Sequence, residues 1–342
     1  MADPVAIAYN GRKRLLISQQ SFARGILKLY GGAEARLKRV LSALEAEIAG
    51  LDPDIPAYVF VERERVRLLL RQIQQEIEKL APNATKRTVS ATKSAVKSAD
   101  DKENRIAKTM RVTGHVRLPT EALQRIAADM ADGASLQTTF SALGKEAYDK
   151  AREIMFEGMA SGSSAKTIGR ALRQALGMTK KRALLIARAT TLRAYRESAI
   201  EVYRYNSSRV TGWRWLASKS RRTCASCLGL DGTEHPLTEP FGSHPLCRCT
   251  TVPVLASGNV PMSKTGAQWF DEQPESVQRH ILGRGKYRLY KNGNIKLADV
   301  VDRHDSAWGP TANVKPIKRL IAESKITVAQ GVAAIKGHPI PD

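Results

Sequence analysis

All four cysteines of the 342-residue chain lie in one stretch of 26 residues. Cys224 and Cys227 form a CxxC, and Cys247 and Cys249 form a CxC; His235 and His244 lie between the pairs. A CxxC turn presents two thiolates to one ion, and a second pair about twenty residues later can complete a tetrahedral shell. Thiolate softness selects zinc over magnesium or calcium. Five candidates, Cys224, Cys227, His244, Cys247 and Cys249, compete for four positions. Disulfides and plain buried thiols are the other outcomes. The first ten residues lack an apolar core, so a reducing compartment is expected, which disfavours disulfides.

The same residues can be tested for catalysis. A catalytic zinc needs an open position and a neighbouring general base. The zinc-deaminase order, H-x-E followed by P-C-x-x-C, is absent: His235 precedes Pro236, and the CxxC comes first. Asp231, Glu234 and Glu239 are the nearby carboxylates, and Asp231 sits in an LDG turn. The chain has no Walker loop, GxSxG elbow or HExxH. The site therefore reads as structural zinc and the protein as a non-enzyme. Two alternatives stay open. One is a zinc hydrolase, nuclease or thiol enzyme using His244, His235 or a cysteine. The other is a host nucleic-acid-binding protein with a zinc knuckle.

The elements that must position these donors can also be read. Val210 to Ala217 alternates around Trp213 and Trp215 as a strand does, and Thr250 to Leu255 can pair with it. The cysteine loops would hang from this small sheet, with the metal standing in for a core too small by itself.

This stretch resembles the bacteriophage Mu protein F-like family of minor head proteins. The resemblance rests on Trp213 or Trp215, Arg222-Thr223-Cys224, Cys227, Leu230-Asp231-Gly232, His244-Pro245, Cys247-Arg248-Cys249 and Pro253. Where the family often carries an Asp, this chain has Ser220. The likeness continues upstream through 162–205 and downstream into 266–301. It implies a structural protein bound near the portal inside a tailed-phage head, in contact with packaged DNA and with a role in head assembly and DNA ejection. Portal protein is the implied partner, together with major capsid protein or scaffold. The implied location is the virion interior, with host cytoplasm during assembly.

Charge points the same way. With 55 Lys+Arg against 33 Asp+Glu, the net charge is +22, which favours polyanions and binding without sequence specificity. Double-stranded DNA is the expected polyanion. The candidate contacts are Lys86, Arg87, Lys93 and Lys97 in one basic stretch, and Lys180, Lys181, Arg182, Arg188, Arg193 and Arg196 in another. No apolar run reaches the roughly 18 residues of a membrane span.

The expected fold is mainly α with a small β element. Residues 1–80 read as a helical hairpin that offers a portal-docking surface, turned at the prolines of 51–56 and weakened at Gly31 and Gly32. Residues 81–118, poor in large apolar side chains, read as a basic flexible linker. Residues 119–255 read as a helical head-morphogenesis core, broken near Gly177, with its Cys-rich zinc-knuckle-like module at 213–253. A small, largely helical tail occupies 256–342.

Overall fold

The computed structural model describes residues 3–49, 64–130, 133–161, 163, 165–258, 260, 264–306 and 309–341. The turn expected at 51–56 lies outside them. The fold is mostly helical with two small sheets. Two compact units share the chain: 1–16, 95–126 and 192–342 form the first, and 17–94 and 127–191 the second.

In chain order the first elements are α1 (Pro4–Ala49), α2 (Glu64–Glu78), α3 (Leu80–Thr109), α4 (Thr120–Met130), α5 (Gly133–Ala160) and α6 (Ala165–Tyr205). Next come β1 (Val210–Leu216), α7 (Ala225–Gly229), β2 (Glu234–Pro236) and β3 (Thr250–Leu255). The tail holds α8 (Gly266–Asp271), α9 (Glu275–Leu282), α10 (Arg284–Lys291) and a 3-10 turn at Leu297–Val300. It ends with β4 (Val301–Ser306), β5 (Gly309–Val314), α11 (Ile317–Ala322) and α12 (Val328–Lys336).

The second unit is a helical bundle. Ile26, Tyr30 and Ala33 of α1 meet Leu80, Ala81 and Ala84 of α3, Leu136, Phe140 and Leu143 of α5, and Ala183, Ile186 and Ala187 of α6. The alanines among them let the helices approach closely. Two expected breaks do not occur: α1 runs through Gly31 and Gly32, and α6 runs through Gly177. A helical glycine costs only about 1 kcal/mol, and buried residues on both sides (Ile26, Tyr30 and Ala33; Leu172, Ala175 and Ala183) outweigh it.

The stretch read as a flexible linker is also different. Residues 80–109 are one helix. Its buried stripe is made of small residues, Ala84, Thr88, Thr92, Ala95 and Ala99, at steps of three and four. The buried hydroxyls of Thr88 and Thr92 donate to carbonyls one turn back, at 2.7 and 2.9 Å, so neither is left unsatisfied.

The first unit is built around the sheet β2-β1-β3, antiparallel throughout. Trp213 faces His235 on one side and Pro253 on the other. Both tryptophans are fully buried. The β1–β3 pairing matches the expectation from sequence; β2 and the β4–β5 hairpin add to it. The N-terminal residues belong to this unit and not to a separate hairpin. Val5 and Ala8 pack with Ile106, Leu216, Val252 and Val260, and the Tyr9 hydroxyl donates to the carbonyl of Ala217 at 3.1 Å.

Candidate metal centre

Two loops on the sheet carry the donors. The first follows β1 and is shaped by Thr223, whose Oγ1 accepts from the Ser220 N–H at 3.1 Å. Cys224 then caps α7, and its Sγ accepts from the Cys227 N–H at 3.5 Å. One turn of helix thus sets the CxxC spacing. Asp231 closes the loop, accepting the Ala217 N–H at 2.6 Å and pairing with Lys219 at 2.8 Å. The second loop runs from Pro236 to β3. The Cys247 N–H donates to the His244 carbonyl at 3.0 Å, and the Cys247 Sγ accepts from the Cys249 N–H at 3.4 Å.

The loops bring all five donors together. His244 Nε2 lies 3.3 Å from Cys224 Sγ and 3.5 Å from Cys227 Sγ, and Cys227 Sγ lies 3.6 Å from Cys247 Sγ. The atoms fall into two triads sharing Cys227: Cys224, Cys227 and His244, and Cys227, Cys247 and Cys249. Cys227, Cys247 and Cys249 are buried and Cys224 is half-buried; none forms a disulfide. Neither triad contains a carboxylate.

Such a donor set fits a thiophilic ion. Bond lengths of about 2.3 Å to sulfur and about 2.0 Å to nitrogen give tetrahedral edges of about 3.5–3.8 Å, close to the distances above. The protons are distributed to suit. The Cys224 thiol is pushed down to about 5, first by the hydrogen bond from Cys227 and then by His244, against burial. Burial opposes ionisation of Cys247, but hydrogen bonds from Cys227 and Cys249 and the charge of Arg196 hold it well below the usual thiol range. Burial likewise opposes protonation of His244, yet the bond to Cys224 and the charges of Cys247 and Cys224 raise it. Cys227 is raised by its hydrogen bonds to the other three cysteines, and Cys249 by burial. An ion would replace these protons.

His235 is elsewhere. It stacks on Trp213, with its Nε2 2.8 Å from Thr233 Oγ1 and its Nδ1 3.1 Å from Glu239. Glu239 also pairs with Arg303 of β4, and Glu234 with Arg214. The carboxylates nearest in sequence to the cysteines are therefore engaged in structural pairs.

The basic candidates divide. Lys86, Arg87 and Lys93 are exposed on α3, as is Lys97 further along it. Lys181 is exposed on α6, Arg182 bonds Glu146, Lys180 lies 3.6 Å from Glu34, and Arg188 is half-buried. Arg193 is exposed. Arg196 is not a surface residue at all: it is 4 % exposed and bonds the second donor loop. Its placement corrects the expectation that it faces nucleic acid. The signal was present in the spacing, since Leu192, Tyr195, Ala199, Ile200 and Tyr203, on the same side of α6, are all buried.

Residues 149–252 match the family described as phage Mu protein F like protein. The matched span runs from α5 into β3 and takes in all five donors. No curated protein and no solved structure matches the chain.

Proposed function

We propose that this is a minor head protein of a tailed bacteriophage, acting in head morphogenesis from a place near the portal and in contact with packaged DNA. The observation that carries the reading is the family match, which spans 149–252 and encloses the whole donor cluster. In this reading the cluster is a structural zinc centre held by Cys224, Cys227, His244 and Cys247. Cys227 joins the two triads, and Cys247, whose Sγ lies 3.6 Å from Cys227 Sγ, is taken as the fourth ligand, with Cys249 as a buried thiol beside them. Bound zinc would fix the two donor loops against the sheet.

Non-specific DNA contact follows from the exposed cations of α3 and α6 together with the net charge of +22. Two measurements test the reading. Purified heads should contain the protein, and it should co-purify with portal protein. Full-length protein prepared without chelator should hold one zinc, retained in Cys249→Ser and lost in Cys224→Ser and His244→Ala. Protein absent from heads, or heads assembling normally without it, would refute the head role.

A further inference from the structure

We infer that Arg196 is the positioning residue of this centre: from α6 its guanidinium grips residues 243, 247 and 249 and so holds the second donor loop in ligand geometry. The inference rests on the metal-centre reading above. Arg196 Nη2 donates to the Cys247 carbonyl at 2.6 Å, Nε to the Cys249 carbonyl at 3.1 Å, and Nη1 to Ser243 Oγ at 2.8 Å. Each accepting residue either supplies a donor of the cluster or adjoins one, Ser243 preceding His244. The planar fork suits this task, since it reaches three fixed acceptors at once; a lysine ammonium on a flexible stem does not.

The guanidinium is itself fixed. It lies over the Phe241 ring at 4.9 Å, and Phe241 stacks on Trp215 with centroids 3.9 Å apart. The pile Arg196–Phe241–Trp215 thereby ties the donor loop to β1. Charge adds to geometry. An ion of charge +2 with three thiolates and one imidazole carries −1, and a buried anion needs a counter-charge. Arg196 supplies it. Arg12 of α1 is a second cation near the cysteines; its guanidinium covers Tyr9 at 4.8 Å, and Cys249 and Cys247 counter the lowering of its pKa by burial.

The test uses full-length protein loaded with zinc or with cobalt(II), whose absorption reports tetrahedral thiolate ligation. Competition with a chromophoric chelator gives affinity, and melting curves report folding. Arg196→Met should bind zinc about 10- to 100-fold more weakly, the usual loss when a supporting contact to a ligand shell is removed. Arg196→Lys should lose affinity too, with an altered cobalt spectrum, because charge alone does not hold the loop. Arg288→Met is the comparator: it removes an arginine that bonds the Ala333 carbonyl of α12 at 3.0 Å and should leave affinity unchanged. Wild-type affinity in both Arg196 variants, or an equal loss in Arg288→Met, would overturn the inference. If Arg196→Met does not fold, the Arg196→Lys affinity and spectrum decide. Wild-type protein that binds neither ion would instead refute the metal-centre reading itself.

Discussion

The His235 imidazole lies flat on the Trp213 indole, with ring centroids 4.2 Å apart and planes 17° from parallel. This pair locks β2 to β1 by side chains as well as by the ladder, and Thr233 and Glu239 engage both ring nitrogens. Burial lowers the His235 pKa, against the raising effect of Glu239 and with a smaller lowering from Arg303. The unfolded chain therefore binds this proton more readily. The stability His235 contributes is present above about pH 6.5 and is lost as pH falls below it. The ring should titrate below about 6.5 in an NMR experiment; a midpoint above that value contradicts the assignment.

Glycines at close backbone approaches should be intolerant. A Cβ on Gly229 would lie 2.4 Å from the Leu297 carbonyl oxygen, where α7 meets the tail. Gly229→Ala should cost about 1–3 kcal/mol by overpacking. Gly177 of α6 has open space around a Cβ, so Gly177→Ala should stabilise by about 0.5–1 kcal/mol. Urea unfolding of the two variants should show opposite signs.

Metal binding should release protons. Cys227 is held well above the usual thiol range, so it is protonated in the metal-free protein and must ionise to ligate. Titration calorimetry in buffers of different ionisation enthalpy should show at least about one proton released per zinc at pH 7. A buffer-independent heat would show that no net proton leaves on binding, which contradicts a Cys227 thiol that must ionise to ligate. Removing zinc with a chelator should lower the melting temperature, and re-adding it should restore the original value.

DNA binding should weaken steeply with salt and ignore sequence. Reversing Lys86, Arg87 and Lys93 should flatten the log–log salt slope by roughly 0.9 for each phosphate that is no longer neutralised. Arg196 should play no part, being buried. An unchanged slope in the triple variant would move the DNA-binding surface to Lys181 and its neighbours.

Deleting residues 1–16 should destabilise the unit that carries the donor cluster. Val5 and Ala8 sit in its core, and Tyr9 bonds the Ala217 carbonyl and accepts from Lys219 at 3.3 Å. The variant lacking residues 1–16 should therefore melt well below the full chain. Equal melting temperatures would show that the N-terminal turns contribute nothing there.

The donor cluster was legible because cysteine is scarce and its spacing is chemical. The β1–β3 pair was legible because Trp213 and Trp215 alternate with polar residues. Helix α3 was not: its core stripe is alanine and threonine, which composition reads as solvent-facing. The β4–β5 hairpin carries no strong alternation, since five of the six residues of β4 are polar or charged. The buried place of Arg196 was hidden by its charge, which argues for a solvated face more loudly than its helical position argues against one. Side chains that satisfy hydrogen bonds far along the chain leave no local mark.

The unit holding the donor cluster is stitched from 1–16, 95–126 and 192–342. The Tyr9–Ala217 bond alone closes a loop of 208 residues. During synthesis at about 5–20 residues per second, residues 1–16 must wait roughly ten seconds or more for β1 and β3 to leave the ribosome. Until then the apolar turns around Val5 and Ala8 lack Leu216, Val252 and Val260, most of the core they will join. A nascent chain should thus stay protease-sensitive around Val5 and Ala8, and become resistant there only after Leu255 emerges.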